Sequence, residues 1–413
     1  MTDVVIAGGG PAGATLALLL GRAGLTVEIY EAKTFPREKP CGEGIMPAGV
    51  AVLNRLGLRG AVGGRPLATV RYHGFGLSAE AGFPIGADGT APFALAQRRL
   101  HLDQALLAAA RATSGVRVFE DAKVEGAAIA GGRAIGLHVG GELRRGELVV
   151  GADGLDSPVR RSLGLDRGER PGDGGRVGVR MHYRLAAGRE ESSRLEIFIG
   201  RGYELYAAPL PHGELLLAAL GDRDALGSNA RDTMARWIGE QPLLRDWLDG
   251  ATPLTKLAGR APVTRRARAG FAPGAVLLGD AARASDPLTA GGIAHALVTA
   301  ERLAAIVPLA LAEGDAAIAR FDRERRRLLR AHDWLTRALV FLVDRPALAW
   351  PTMLGMRAAP RLMRALLGIG GGVGIQPPVP YASVTAAPSA IAALPASSAT
   401  DQNATLSQRA GSV

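Results

Sequence analysis

The sequence predicts an α/β fold in which a parallel nucleotide-binding sheet accommodates an inserted antiparallel sheet and the chain ends in helices. Three observations predict it. The chain opens on an apolar strand, Asp3-Val4-Val5-Ile6-Ala7, which runs directly into Gly8-Gly9-Gly10-Pro11-Ala12-Gly13 and then a helical stretch through Leu20. Residues 176–220 read as four strands, 176–185, 195–199, 204–208 and 215–220, divided by Gly and Pro turns. The apolar strand pattern then returns at Ala275-Val276-Leu277-Leu278, and 293–340 is helical by its periodicity.

The opening unit carries the first chemistry. Gly8 permits a tight turn, Gly10 lets a pyrophosphate approach the backbone, and Gly13 lets the helix pack on the strand with its N–H groups facing the phosphates. Glu31 closes the strand 25–30 about 20 residues on, where a carboxylate takes ribose hydroxyls. A chain with 56 glycines produces G-x-G-x-x-G strings by chance, so the strand before, the helix after and the carboxylate are what identify an adenine dinucleotide site. Glu31 repels a 2′-phosphate, which points to FAD or NAD rather than NADP.

A Pro- and Gly-rich loop covers 35–49 and holds Cys41; a helical pattern follows at 50–56, then glycine-broken strands between 66 and 96. Residues 98–112 are strongly helical. Short strands at 116–119 and 134–139 lead to the apolar strand 147–150, which ends in Gly151-Ala152-Asp153-Gly154. The segment 338–368 mixes apolar residues with Arg, and beyond Gly370 the composition of Gly, Pro, Ala, Ser and Thr buries too little surface to fold. The expected organisation is a discontinuous nucleotide-binding domain (1–70, 96–168, 258–330), a substrate domain (71–95, 169–257), a C-terminal helical segment (331–372) and a disordered tail (377–413).

Composition excludes several classes. At 413 residues, 47% hydrophobic and 21% charged, the chain is globular and exceeds one core; Arg, Asp or Pro interrupts its apolar runs before a bilayer-spanning length. No basic region, apolar core and cleavage site precede Asp3, so the expected location is the cytoplasm. The net charge of +10 comes almost wholly from Arg scattered among Ala and Gly, without aromatic-interleaved basic patches, so no nucleic-acid partner is expected. The run Arg323 to Arg327 reads as a solvated helix face. A single cysteine, Cys41, excludes a dithiol mechanism, and the seven separated histidines give no metal-ligand spacing.

Two later segments favour FAD over NAD. Asp280 follows the strand 275–278, where its carboxylate can accept hydrogen bonds from ribityl hydroxyls, although a strand end with an N-cap gives the same pattern. Gly291 and Gly292, after Asp286-Pro287-Leu288-Thr289-Ala290, let backbone N–H groups and a helix N-terminus face a flavin N1/O2 edge, where reduction puts negative charge.

Together, GGGPAG with Glu31, GADGLDSPVR at 151–160 and GDAARASDPLTAGGIAHAL at 279–297 resemble, in order and spacing, the FAD-dependent aromatic hydroxylase (p-hydroxybenzoate hydroxylase-like) and geranylgeranyl reductase superfamily, over about residues 1–330. The resemblance implies a glutathione-reductase-like FAD-binding domain interrupted by a substrate domain whose sheet roofs the flavin. By the match, Gly8, Gly10, Pro11, Ala12 and Gly13 form the pyrophosphate turn, Glu31 binds ribose, Arg99 the pyrophosphate and Val124 the adenine through its backbone. Asp280 would hold the ribityl chain, and Pro287, Gly291 and Gly292 the isoalloxazine. Cys41 would face the flavin from its loop, or be an inert buried thiol. Asp153 belongs to an Asp-Gly element associated with FAD and with NAD(P)H as a transient co-substrate; no second G-x-G-x-x-G offers the nicotinamide a permanent site.

Three chemistries share these motifs. Halogenases carry W-x-W-x-I-P, and no W-x-W occurs here. Lys39-Pro40-Cys41-Gly42-Glu43-Gly44 is similar to the K-P-C-G-G-G loop of prenyl reductases, but their aromatic motif P-x-x-Y-x-W-x-F-P is represented only by the strand Tyr203 to Pro209, which lacks the tryptophan and phenylalanine. That strand, followed by Leu210-Pro211-His212-Gly213-Glu214, is similar to hydroxylases of polyketide or phenolic substrates. The expected function is therefore an FAD-dependent monooxygenase of secondary metabolism that hydroxylates a lipophilic phenolic or polyketide-type small molecule with NAD(P)H and O2. The alternatives are a reductase of isoprenoid double bonds and a flavoprotein that modifies a partner polypeptide through a wide cleft. Tyr203, Tyr206, His182 and His73 are the expected substrate contacts. The stretch 335–367, with Arg337, Arg345, Arg357, Arg361 and Arg364 among apolar residues, is a candidate for peripheral contact with an anionic membrane, the alternative being a helical cap on the FAD domain.

Overall fold

Four consecutive apolar residues without alternation suit a strand covered on both faces, and Val4–Ala7 is fully buried between parallel neighbours Val27–Tyr30 and Leu148–Gly151. The computed structural model describes residues 2–86, 89–167, 175–188, 192–343, 345–375 and 377–378. Val116–Phe119 and Ala275–Leu277 extend this sheet in parallel, and Phe271–Ala272 closes one edge antiparallel. Gly8 turns the chain at φ +97°, and Gly13 lies so close beneath it that a Cβ would overlap the Gly8 carbonyl oxygen. This contact sets the helix Pro11–Arg22 on the sheet; helices Arg99–Arg111 and Gly292–Glu313 pack on it in turn.

A second, eight-stranded sheet has the order Thr252–Pro253, Arg176–Arg184, Glu214–Asp222, Tyr203–Pro209, Arg194–Ile199, Thr69–Gly74, Leu77–Gly82, with Ala258–Arg260 also on Arg176–Arg184. All its neighbours are antiparallel except Arg194–Ile199 with Thr69–Gly74. Strand periodicity gives it two faces. Val177, Leu205, Leu217 and Phe198 on the far face belong to one hydrophobic cluster with Trp237 and Leu244 of helices Ala230–Gly239 and Pro242–Leu248. On the near face Ile197, Tyr206, Leu216 and Leu220 belong to the cluster that contains Val4, Ile6 and Leu297, so one core joins both sheets.

Several elements differ from the sequence reading. Helix Pro47–Leu56 starts three residues before the expected position, with Pro47 at its first turn, and Gly44–Ile45 pairs with Ala94–Ala96 inside what read as loop. Val124–Ala130 and Glu142–Arg145 form an unforeseen small sheet with Arg133–Val139. The strand Ala258–Arg260, assigned by sequence to the nucleotide-binding part, instead pairs in the large sheet, as do Thr69 and Val70; partners distant in sequence decided this. Helix Gly292–Glu313 is long and apolar enough to cross a membrane, contrary to expectation, yet 67% of its apolar window is buried inside the protein. Arg325, within the run read as a solvated face, is buried beside Asp322 with an Nη2–Oδ1 distance of 2.5 Å. Residues 338–343, 346–358 and 360–368 fall in helices Asp315–Val343, Pro346–Ala358 and Pro360–Gly371, the last two packed on Leu77–Gly82. From residue 379 on, the expected disordered tail lies outside the described residues.

Candidate active site

The glycine turn directs one of its backbone donors at Glu31. The Gly9 N–H donates to Glu31 Oε2 at 2.8 Å and the Lys33 N–H to Oε1 at 3.0 Å, which fixes a buried carboxylate at the end of Val27–Tyr30. Above Gly10 the space is open: a Cβ there would meet only Arg37 Nη2, at 3.9 Å. Arg37 also reaches Asp103, with Nη1 at 3.1 Å from Oδ2. Arg99, expected on the pyrophosphate, is buried and forks onto Asp103 through Nε at 2.6 Å and Nη2 at 2.5 Å, because a guanidinium one helical turn from a buried carboxylate satisfies both groups. Lys39 completes the cluster; burial, reinforced by Arg99, pushes its ammonium below the ordinary value although Asp280 and Asp103 pull it up. Arg37 and Lys39 were missed, and their signal was the basic segment that begins six residues after Glu31. An open glycine turn with a carboxylate on one side and these cations beside it fits the diphosphate and ribose of an adenine dinucleotide.

Asp153 packs behind the turn, its Cα 3.0 Å from where a Gly8 Cβ would stand. Its Oδ2 accepts from the Val159 N–H at 3.1 Å, its Oδ1 is buried without a hydrogen-bond partner among the described residues, and burial raises its pKa. Val124 is buried at the start of its strand, two residues after the Ala122 N–H that donates to the Glu31 carbonyl at 2.8 Å.

The third motif meets the first where a Cβ on Gly279 (φ +57°) would approach the Ala12 Cβ at 3.1 Å. Asp280 lies in the short turn Gly279–Ala281 and lines a cleft of about 320 Å³ with Gly292 and His295. Asp286 Oδ1 caps the turn Pro287–Thr289 by accepting from the Leu288 N–H at 3.0 Å. Pro287 occupies the first position of that turn. Gly291 must be glycine because the rings of His332 and His295 occupy its side-chain position, whereas Gly292 faces open space at an uncapped helix N-terminus. The two rings meet edge to face at 4.1 Å, and His332 Nε2 lies 3.0 Å from Thr289 Oγ1. Burial holds His295 well below the usual imidazole range and lowers His332 to about 4, with Arg283 opposing its protonation too.

Two buried polar links tie the large sheet to these loops. Arg176 bridges Glu204 of its own sheet and Asp286, whose Oδ1 is 3.2 Å away. His182 Nε2 lies 2.8 Å from Glu43 Oε2, and Glu43 Oε1 accepts from the Arg99 N–H at 3.1 Å. Glu43 has φ +54°, a conformation that favours glycine, where the similar prenyl-reductase loop has glycine; its two carboxylate contacts offset that strain. The Cys41 Sγ accepts from the Glu43 N–H at 3.3 Å, and the thiol is half-buried.

The expected substrate contacts divide between the two faces of the sheet. Tyr206 and His182 are on the near face. Tyr203 is on the far face, stacked on Trp237 at 4.4 Å with its hydroxyl donating to Glu240 at 2.6 Å; His73 is there too, stacked on Phe198 at 4.7 Å. Residues 203 and 206 are three apart in one strand, so alternation forbids a shared face. His182 is fully buried and held by Glu43, so it braces the loop. Tyr206 lines a largely apolar cavity of about 640 Å³, its solvent-open mouth included, between the near face, the turn Pro287–Thr289 and the C-terminal helices, and its hydroxyl donates to the Leu288 carbonyl at 3.2 Å. Tyr72, aligned in register with Ile197 and through it with Tyr206, lines the same cavity. Its hydroxyl has no hydrogen-bond partner among the described residues, and burial pushes its pKa to about 12, so it is a neutral phenol at physiological pH. Sequence reading missed Tyr72, though its parity against His73 was available.

The profile of the FAD-binding-domain family matches residues 1–337. Menaquinone reductase of Mycobacterium tuberculosis is 32% identical over 325 residues, covering 73% of this chain and 75% of that protein. The 6-methylpretetramide 4-monooxygenase of Streptomyces rimosus is 35% identical over 173 residues, 40% of this chain and 41% of its own. Among solved structures, a flavoprotein/dehydrogenase from Cytophaga hutchinsonii superposes with a TM-score of 0.77 at 18% identity, covering 90% of this chain and 93% of that one. This last likeness concerns the mixed α/β fold alone.

Proposed function

The chain belongs to the FAD-binding-domain family and is an FAD-dependent oxidoreductase, and from that premise we propose that it hydroxylates a lipophilic phenolic or polyketide-type small molecule with O2, using NAD(P)H as a transient reductant. On this reading the antiparallel sheet is a substrate domain set into a glutathione-reductase-like FAD domain. FAD would lie with its diphosphate over Gly10 beside Arg37 and Lys39, its ribose at Glu31, its ribityl chain at Asp280 and its ring near Gly291 and Gly292. When bound, it supplies electron transfer from NAD(P)H and activation of oxygen; the protein orients the substrate and excludes water.

The observation that carries the reading is the Tyr72 hydroxyl, without a hydrogen-bond partner among the described residues, in a largely apolar cavity beside the turn Pro287–Thr289. A phenol or ketone needs such a group to fix which carbon faces the flavin, whereas an isolated double bond offers it nothing to bind. The helices that wall the cavity on one side favour a small molecule over a polypeptide.

A second reading, reduction of an isoprenoid double bond, is favoured by the Lys39-Pro40-Cys41 loop, and the match to menaquinone reductase, longer than that to the monooxygenase, favours a reductase. Single-turnover reactions of the reduced holoenzyme separate the two. A hydroxylase gives no product without oxygen and gains one ¹⁸O atom from ¹⁸O2 with an alkylphenol. Anaerobic addition of two hydrogens to an isoprenoid double bond of a polyprenyl substrate would overturn the proposal.

A further inference from the structure

The three C-terminal helices turn apolar side chains both ways. Inward, Leu335, Leu339, Met356, Met363 and Leu367 line the 640 Å³ cavity. Outward, Trp334 (62% exposed), Phe341, Trp350, Leu354 and Leu362 (58%) stand in solvent. They follow helical spacing: Trp334 and Phe341 are seven apart with Arg337 between them, Trp350 and Leu354 are four apart with Arg357 next along, and Leu362 is flanked by Arg361 and Arg364. The guanidinium of Arg345 sits over the Phe341 ring at 3.7 Å.

Large apolar side chains are normally buried, and a helix already packed on one side has no folding reason to carry a second apolar stripe. In residues 334–378 the sequence has Arg337, Arg345, Arg357, Arg361 and Arg364 against one acid, Asp344, and no Lys. A second copy would bring like charges together, whereas Trp and Phe between arginines match the headgroup region of an anionic bilayer, where the rings enter the interface and the guanidiniums reach phosphates.

We propose that the outer face of residues 334–369 docks on an anionic membrane, so that a lipophilic molecule passes from the bilayer between the helices into the cavity their inner sides line. Substrate delivery rests on the function proposed above; the docking does not. The test is co-sedimentation of the full-length FAD-bound protein, without substrate, with vesicles of phosphatidylcholine alone and of phosphatidylcholine mixed with phosphatidylglycerol. Partition into the anionic vesicles, weakened by salt, is expected. The triple variant R357E/R361E/R364E should lose roughly a hundredfold in partition, and W350S/L354S/L362S a comparable factor, both with wild-type flavin absorbance and circular dichroism because the substituted residues are exposed. Equal partition into neutral vesicles, no partition, or unchanged partition of either variant would overturn the proposal. So would a wild-type dimer in light scattering that becomes monomeric in W350S/L354S/L362S, which would make this face a contact between copies of the chain.

Discussion

Gly10 and Gly13 look interchangeable in the motif and do different work. Gly10 has φ −71° and open space at its Cβ position, so Gly10→Ala should keep the apoprotein's melting temperature while weakening FAD binding at least tenfold, read by equilibrium dialysis. Gly13→Ala drives a methyl into the Gly8 carbonyl and should destabilise the apoprotein itself by about 1–3 kcal/mol, seen in urea denaturation. Equal stability losses would mean that the turn, and not its open face, is what Gly10 serves. Tyr72→Phe removes one hydrogen-bond donor from the cavity and nothing from the fold. It should raise KM about fivefold, the equivalent of ~1 kcal/mol, without changing FAD affinity; an unchanged KM for a phenolic substrate would remove Tyr72 from recognition. The same scale shows why Tyr206 and Tyr203, both named from the sequence, end on opposite faces of the sheet. Residue type named both, and only strand parity, which was available, divides them.

At the scale of elements, the long helix Asp315–Val343 does more than cover the core: its His332 and Thr336 hold Thr289, and the His332 ring fills the space that makes Gly291 obligatory. A neutral imidazole is part of that packing. The unfolded chain protonates this group near 6.5 and the folded one near 4, so its contribution is complete above pH 6.5 and is lost progressively as pH falls to about 4. The loss at the acid end is on the order of 3 kcal/mol. Melting temperatures from pH 7 to 4 should therefore fall more steeply for the wild type than for His332→Gln, and parallel curves would show that the ring is not held neutral. None of this was legible in the sequence, since His295 and His332 are 37 residues apart and read as isolated histidines on separate helical stretches.

At the scale of the whole molecule, one hydrophobic cluster runs from Val4 and Ile6 through Leu297 to Ile197 and Tyr206, and Arg176–Asp286 and His182–Glu43 cross the same boundary. The two sheets should unfold together: calorimetry of the holoprotein is expected to give a single transition, and two resolved transitions would show that each sheet is a separate cooperative unit. By itself the sequence determined the first strand and its turn, the four long antiparallel strands, the position of Asp280 after its strand and the use of FAD. Each depends on local periodicity, glycine conformation or short spacing, which neighbours in the chain dictate. Only the tertiary structure decided that Arg99 serves Asp103 while Arg37 and Lys39 stand by the turn, that His182 braces Glu43, that Ala258–Arg260 joins the large sheet and that Tyr72 opens into the cavity. The physical reason is that a buried charge or hydroxyl takes whichever partner the fold brings within about 3 Å, and residues tens to hundreds of positions apart meet only when strands and helices pack.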